Sequence, residues 1–247
     1  SPNGRYFAWS NWDAQIQLHD LTASDTRTLS PPIENALGSI EAVCFSPDSQ
    51  RIAWTGKEEQ LSTFRIAELS SLQTVPFSNS SGALQFSPDS TQLARGGRAD
   101  QLTIVSSDKL TTNTTLDHCS GCTAIEWHSS GRSLLLGFRS GSIQIRRLFG
   151  VDSIQRSYVH RKEVRDITLS PDGNLAVSVD DSGQVAMWNA ETGEIFGVLF
   201  EPTIITHGSI LMAPVLEFLD SGELVLIYND GGNAPQIVRW QSVATYD

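Results

Sequence analysis

Apolar side chains in this sequence recur at alternate positions, in short runs broken by polar turns, and no long stretch carries the spacing of a helix face. Five pairs set the pattern: Val43 and Phe45, Leu84 and Phe86, Ile125 and Trp127, Ile167 and Leu169, Leu216 and Phe218. Each pair describes one face of a strand. A second apolar start follows at Ile52, Leu93, Leu134, Leu175 and Leu224, with Phe7 as its earliest copy, and Ala8, Ala53, Ala94 and Ala176 stand directly after four of these. A third alternating strand reads Ile16/Leu18, Phe64/Ile66, Leu102/Ile104, Ile143/Ile145, Val185/Met187 and Ile237 with Trp240. A weaker fourth strand fills the gaps, as at Thr26–Leu29, Thr111–Leu116 and Ile195–Phe200.

One turn punctuates every copy. It reads SPNG at Ser1–Gly4, SPDS at Ser46–Ser49 and Ser87–Ser90, HSSG at His128–Gly131, SPDG at Ser170–Gly173 and LDSG at Leu219–Gly222. Successive starts lie 45, 41, 41, 42 and 49 residues apart. In such a turn Pro presets φ, Asp hydrogen-bonds nearby backbone and Gly accepts a positive φ. A fixed period of this length is the mark of a repeat architecture. Each unit is strand–turn–strand–turn–strand–loop–strand, and four short antiparallel strands cannot hide both faces alone. Units set side by side around an axis can, with protected edges. The expectation is an all-β β-propeller of four-stranded antiparallel blades, about six in this segment, forming a single domain over residues 1–247.

The fifth copy is the fullest. His160 is followed by Val164, Ile167, Leu169, the SPDG turn, Leu175-Ala176, Asp180-Asp181 and Val185-Ala186-Met187-Trp188-Asn189. It resembles a blade of the WD-repeat (WD40-type) β-propellers, with Trp188-Asn189 at the signature Trp-Asp position, and in about six copies the resemblance covers nearly the whole chain. The resemblance implies a buried hydrogen-bonded set of a loop His, a strand-two Ser, an Asp from the following turn and the Trp. Here these are His160, Ser178, Asp180 or Asp181, and Trp188. Counting from strand two selects Asp180, and counting from strand three selects Asp181. The purpose of such a set is mutual satisfaction, because buried polar groups left unpaired cost stability.

Other copies depart from the family pattern. His118 stands ten residues before its turn, as His160 does, but Arg146-Arg147 replaces the signature dipeptide there. The dipeptide becomes His19-Asp20, Ala67-Glu68, Val105-Ser106 and Trp240-Gln241 elsewhere, and Ala36 and Phe77 fill the His slots of the second and third copies. These blades are expected to rest on apolar packing. The first copy begins at its turn, and only Gln241–Asp247 follow Trp240. Propellers of this family usually close with seven blades, which implies further strands from a longer parent chain; six-bladed closure is the alternative. Ser1 in place of a methionine points the same way.

Charge and composition narrow the function. Lys and Arg number 17 against 28 Asp and Glu, a formal net charge of −11 over 247 residues. That disfavours a nucleic acid or an anionic membrane surface as partner. With 39% hydrophobic and 18% charged residues the chain reads as globular. Three cysteines exclude a disulfide-built scaffold. No signal-like apolar stretch follows Ser1, so a cytoplasmic location is expected. The sequons Asn79-Ser80-Ser81 and Asn113-Thr114-Thr115 matter only in a secretory compartment and read as chance.

Cys119-Ser120-Gly121-Cys122, with His118 and His128 nearby, can be drawn as a metal site, but Cys122 holds the slot of Val164 in a strand. Gly137-Phe138-Arg139-Ser140-Gly141 sets its serine one place late for a nucleophile elbow, and there is no P-loop or dinucleotide fingerprint. Adjacent carboxylates on one turn, as at Glu58-Glu59 and Asp180-Asp181, seldom face each other across a sugar. No catalytic residue, metal ligand or cofactor is therefore assigned.

What remains is a rim. By the family layout, the loop before strand one and the turn between strands two and three lie at one end of the blades. They carry Trp12-Asp13, Lys57–Gln60, Arg98, Arg139, Arg161-Lys162 and the segment Asn229–Pro235. Trp12, Arg98, Arg139, Arg161 and Lys162 form the candidate partner-binding set, since Trp and Arg are favoured interface anchors and a basic cluster steers an acidic partner. The expectation is a non-catalytic scaffold binding a protein or peptide, as a regulatory or sensing module of a larger, bacterial-style signalling protein. The competing reading is a propeller that binds a small molecule or metal, or one of the TolB-like or peptidase-associated kind.

Overall fold

The computed structural model describes residues 1–10, 15–23, 25–29, 40–56, 60–68, 71–76, 82–149, 154–200, 214–219, 221–228 and 236–240. They fall into two compact units, Ser1–Cys122 and Thr123–Asp247. The first holds three sheets. Blade one is β1 (Tyr6–Ser10), β2 (Ile16–Asp20) and β3 (Asp25–Thr28). Blade two is β4 (Ile40–Phe45), β5 (Arg51–Gly56), β6 (Gln60–Arg65) and β7 (Gln73–Pro76), and blade three is β8 (Ala83–Phe86), β9 (Gln92–Gly96), β10 (Leu102–Ser106) and β11 (Thr112–Leu116). The second unit repeats the plan. Blade four is β12 (Cys122–Trp127), β13 (Ser133–Phe138), β14 (Ser142–Arg147) and β15 (Ile154–Tyr158). Blade five is β16 (Val164–Leu169), β17 (Leu175–Asp180), β18 (Val185–Asn189) and β19 (Ile195–Phe200), and blade six is β20 (Val215–Phe218), β21 (Leu224–Tyr228) and β22 (Gln236–Trp240). Consecutive strands are neighbours in antiparallel sheets, and no helix occurs among the described residues. The all-β blade architecture expected from the repeat is thus present.

In blades two to five the second strand is buried on both faces, and in β5 and β17 its alternation divides the burial between two neighbours. In β5, Ile52 and Trp54 pack with Ile16 and Leu18 of blade one. The intervening Ala53 packs with Leu84, Phe86 and Leu93 of blade three. In the other unit, Ala176 of β17 packs with Leu135, Ile143 and Ile145 of blade four, while Val177 and Val179 join Leu216, Leu224 and Leu226 of blade six. Burying each such aliphatic side chain is worth about 1.5–3 kcal/mol, which the blade obtains only from its neighbours.

Register corrects several sequence expectations. Ile52 faces Phe64 and Leu134 faces Arg146, and the same place in blade five is held by Ala176 facing Trp188. Ala176 therefore matches Ile52 rather than Ala53, and its small side chain leaves room for the indole. The signature dipeptide of blade two is Phe64-Arg65, not Ala67-Glu68, while in blade six Leu224 facing Trp240 keeps Trp240 at the Trp188 position. Phe7, Val43 and Ile237 are exposed rather than core. Phe7 stacks on Trp9 at 5.5 Å on the face of blade one opposite to Tyr6 and Ala8, which pack toward blade two. In β22 the buried phase belongs to Val238 and Trp240.

The recurrent turn is the most constant feature. Its fourth residue has positive φ in all six copies: Gly4 68°, Ser49 57°, Ser90 63°, Gly131 68°, Gly173 76° and Gly222 79°. In the Ser-Pro-Asp copies the serine hydroxyl donates to the aspartate, at 2.5 Å for Ser46 and Asp48 and 2.6 Å for Ser87 and Asp89. The same hydroxyl accepts the amide that opens strand two, Arg51 or Gln92, at 2.9 Å. A left-handed serine is strained relative to glycine, yet Ser49 and Ser90 have a compensating bond. Ser49 Oγ accepts the Asn3 amide and Ser90 Oγ accepts the Asp48 amide, each at 3.1 Å, so each turn is tied to its predecessor.

Ser90→Ala keeps the strain and loses the tie, so unfolding stability should fall by about 1 kcal/mol. Ser90→Gly loses the same tie but relieves the strain, and should lie within about 0.5 kcal/mol of the parent. Urea unfolding of the two variants checks the difference.

Candidate functional site

The third strand of blade five, β18, delivers Trp188 into a fully buried position, and β17 delivers Ser178 two residues along from Ala176. His160 arrives from the loop before β16. Its Nε2 lies 2.7 Å from Ser178 Oγ, and Trp188 Nε1 donates to the same oxygen at 3.1 Å. With the indole donating to Oγ, the hydroxyl proton is free to go to Nε2, which leaves Nδ1–H on the side of Asp180. Asp180 Oδ2 stands 3.7 Å from Nδ1, closer than a random neighbour but longer than a hydrogen bond. The other oxygen, Oδ1, accepts from Ser182 N, Ser182 Oγ and Gln184 N at 2.9, 2.6 and 3.0 Å, which shapes the turn into β18. Asp181 points elsewhere and takes Arg165 Nε at 2.8 Å. Burial lowers the His160 pKa, and the opposing pull of Asp180 and Gln184 does not cancel it. Burial therefore favours the neutral imidazole, which is bonded through Nε2 to Ser178.

The set anchors the rim loop. Arg161 and Lys162 follow His160 directly and are exposed. The turn bearing Arg139 lies against this loop: Gly141 N–H and C=O belong to it, His160 N donates to Gly141 O at 3.2 Å, and φ at Gly141 is +80°. A Cβ there would stand 2.2 Å from His160 O and 2.9 Å from Lys162 O, so only glycine lets the two backbones meet. Arg139 Nε reaches Glu163 at 3.5 Å, Glu163 also holds Arg165 at 3.2 Å, and Arg165 holds Asp181. The basic rim of this unit is thus interleaved with two carboxylates, which the sequence reading did not foresee. Arg98 lies in the other unit, exposed, its carbonyl accepting from Ser120 Oγ at 3.3 Å. Trp12, the loops 57–59 and 229–235, and the sequon at Asn79 fall outside the described residues.

His118 does not share the position of His160. It is exposed with φ of 61°, 4.0 Å from Asp100, while Cys119 beside it is buried. The reason is its surroundings: the slots of Ser178 and Trp188 hold Leu136 and Arg146 in blade four, which offer a neutral imidazole no hydroxyl. Cys119 and Cys122 are buried free thiols. Among the described residues no group of three or more His, Cys, Asp or Glu is placed to hold a metal ion. Two fully buried arginines, Arg95 and Arg146, replace the Ser and Trp of the set in blades three and four. The sequence flagged Arg146 as a departure, but Arg95, within an alternating strand, gave no signal of burial.

A further carboxylate was missed. Asp166 sits at a bulge in β16, where its Oδ1 accepts Ile167 N at 2.9 Å and its Oδ2 accepts Leu216 N at 2.8 Å, bonding blade five to blade six. Burial pushes its pKa up to about 7, against two amide donors that pull it down and with Glu217 adding to the rise.

The family profile described as WD domain, G-beta repeat matches residues 152–189, the segment that contains β16, β17, β18 and the His160–Ser178–Trp188 contacts. No curated protein matches the chain.

Ser178→Ala should cost about 2–3 kcal/mol, because it strands the buried indole N–H and imidazole together; thermal or urea unfolding reads it. Titration gives a second check. Folded Asp166 keeps its proton up to about pH 7, whereas the unfolded group loses it near pH 4, so stability attributable to this residue falls as pH rises between those values. His160 acts in the opposite sense, since its folded pKa is depressed and stability falls as pH drops below about 6.5. Unfolding free energies measured from pH 4 to 8 should therefore show a weaker decline toward neutral pH in Asp166→Asn than in the parent.

Proposed function

Taking the chain as the WD-repeat β-propeller that its blades and the family match make it, we propose that it is a non-catalytic interaction module. It binds an acidic protein or peptide segment on the rim of Arg139, Arg161 and Lys162. Propellers of this family generally serve as protein-interaction scaffolds and are usually non-catalytic. The finer reading is a regulatory or sensing part of a larger signalling protein in the cytoplasm.

The observation that supports this is the coupling of the rim to the buried set. His160 is fixed by Ser178, and the Arg139–Gly141 turn is pressed against the same loop. Residues that present charge to a partner are thereby held before it arrives, so little ordering entropy is lost on binding. Arg139, Arg161, Lys162 and Arg165 outnumber the interleaved Glu163 and Asp181, and a positive field on a chain of net charge −11 selects acidic partners through their approach rate.

Two charge reversals test the reading: Arg139→Glu, Arg161→Glu and Lys162→Glu together, and separately Arg98→Glu. Quantitative affinity capture from native lysate should lose its acidic partners with the triple variant, by about tenfold or more, while the thermal melting profile stays unchanged. An unchanged set of captured proteins would remove the rim from the function.

A further inference from the structure

At the opposite end of blades four and five, away from the Arg139 and Arg161 loops, lies a groove of about 800 Å³. It is lined from blade four by His128, Arg132, Arg147 and Phe149, and from blade five by Asn174 and Glu191. The turn between strands one and two and the turn after strand three bring these residues together. Phe149 leaves 72% of its surface open. Neither Arg132 nor Arg147 has an ion pair or a hydrogen bond to its guanidinium among the described residues. The His128 ring accepts Ser130 N at Nδ1, 3.1 Å, which places its ring proton on Nε2 and makes that nitrogen a donor at the groove wall.

The fold carries its own comparison. Arg147 is the last residue of β14, and the last residue of β6 is Arg65. Glu191 stands two residues beyond β18, and Asp108 stands two beyond β10. Between blades two and three those equivalents close the junction: Asp108 Oδ1 takes Arg51 at 2.6 Å and Arg65 at 2.7 Å. One carboxylate there bridges two guanidinium groups. Between blades four and five the matching acid and base line opposite walls without pairing, and Arg132, next in sequence to the position of Arg51, supplies the second guanidinium. The junction that is closed in one unit is open in the other, and among the described residues no carboxylate bridges its two arginines.

We propose that this groove is a second docking site, which takes an extended acidic peptide. A ligand carboxylate bridges Arg132 and Arg147 as Asp108 bridges its two arginines. His128 Nε2–H adds a donor, and a neighbouring apolar side chain of the peptide seats on Phe149. Cation pairs with a bidentate carboxylate supply specificity, an aromatic platform supplies area, and the groove has the size of a ligand site. The site goes beyond the rim reading and lies at the other end of the same blades.

Fluorescence anisotropy tests it on the full 247-residue chain, with a fluorescein-labelled heptapeptide, Gly-Glu-Leu-Asp-Phe-Glu-Gly, as probe. Saturable binding is expected below about 1 mM. Arg132→Gln with Arg147→Gln should weaken it about tenfold, Phe149→Ser should weaken it severalfold, and Glu191→Gln should tighten it by removing a like charge. The probe carrying Gln and Asn in place of Glu and Asp should not bind, and neither inorganic phosphate nor the rim variant of Arg139, Arg161 and Lys162 should compete with or abolish binding. Far-UV circular dichroism melts of each variant establish that the blades are intact. Absence of saturation, equal binding of the amide probe, or unchanged affinity in the arginine pair variant overturns the proposal. Loss of binding in the rim variant alone overturns it too, while leaving the rim reading in place.

Discussion

The structure depends on a strand that must be covered on both faces in a sheet that can cover neither. In β5 and β17, successive side chains go to different neighbours, Ile52 and Trp54 to one blade and Ala53 to the next. Period-two alternation therefore carries a different meaning here from that in a half-exposed sheet. It sorts residues between two cores, and the near-continuous apolar run of strand two is its signature. Loss of one blade would uncover the next, so stability is shared between neighbours and does not reside in any single repeat.

Polar groups enter such a core only in closed company. In blade five one serine hydroxyl serves the indole and the imidazole, and Asp180 stands 3.7 Å from the remaining ring nitrogen while its other oxygen holds the turn. The small Ala176 opposite Trp188 makes the space. Removing any member leaves another unsatisfied, so the set persists or erodes as a group. In blade two it has eroded to Trp54 and Phe64, an apolar solution of comparable volume. In blades three and four, buried arginines occupy the same slots.

Much of this was legible because repetition averages out local noise. No single turn of this kind fixes a fold, but six in phase locate every blade, and the positive φ at their fourth residue is what the glycines there implied. Trp188 and His160 could be placed together since they belong to the fullest copy. What stayed hidden is what depends on phase within a blade or on a partner from another. The shift of Ala176 and the position of Phe64-Arg65 needed the register. Asp166 looks like any polar residue in an alternating strand until Leu216 from the next blade supplies its amide. Glu163 and Asp181 tempered the basic rim because residues of different turns meet there, a proximity that residue counting along one repeat does not report.

Equivalent positions in a repeat are the closest thing a single chain offers to a set of variants. Asp108 and Glu191 stand at the same distance past strand three, yet the first is fully engaged and the second is not. Both carboxylates have arginines nearby, so the difference lies in geometry rather than in charge sign. Arg51 opens β5 and can meet Asp108 together with Arg65, whereas Ser133 opens β13 and leaves that place without a cation, the nearest being displaced by one residue to Arg132. A one-residue displacement at the mouth of a strand moves the guanidinium relative to the acid of the next blade, so that Arg132 and Arg147 both line the groove while neither pairs with Glu191 among the described residues. The substitution costs the fold little, since an exposed bridge of this kind contributes at most about 1 kcal/mol. Stability thus places almost no constraint on whether such a junction is zipped or open, and its surface is left to be shaped by what binds there.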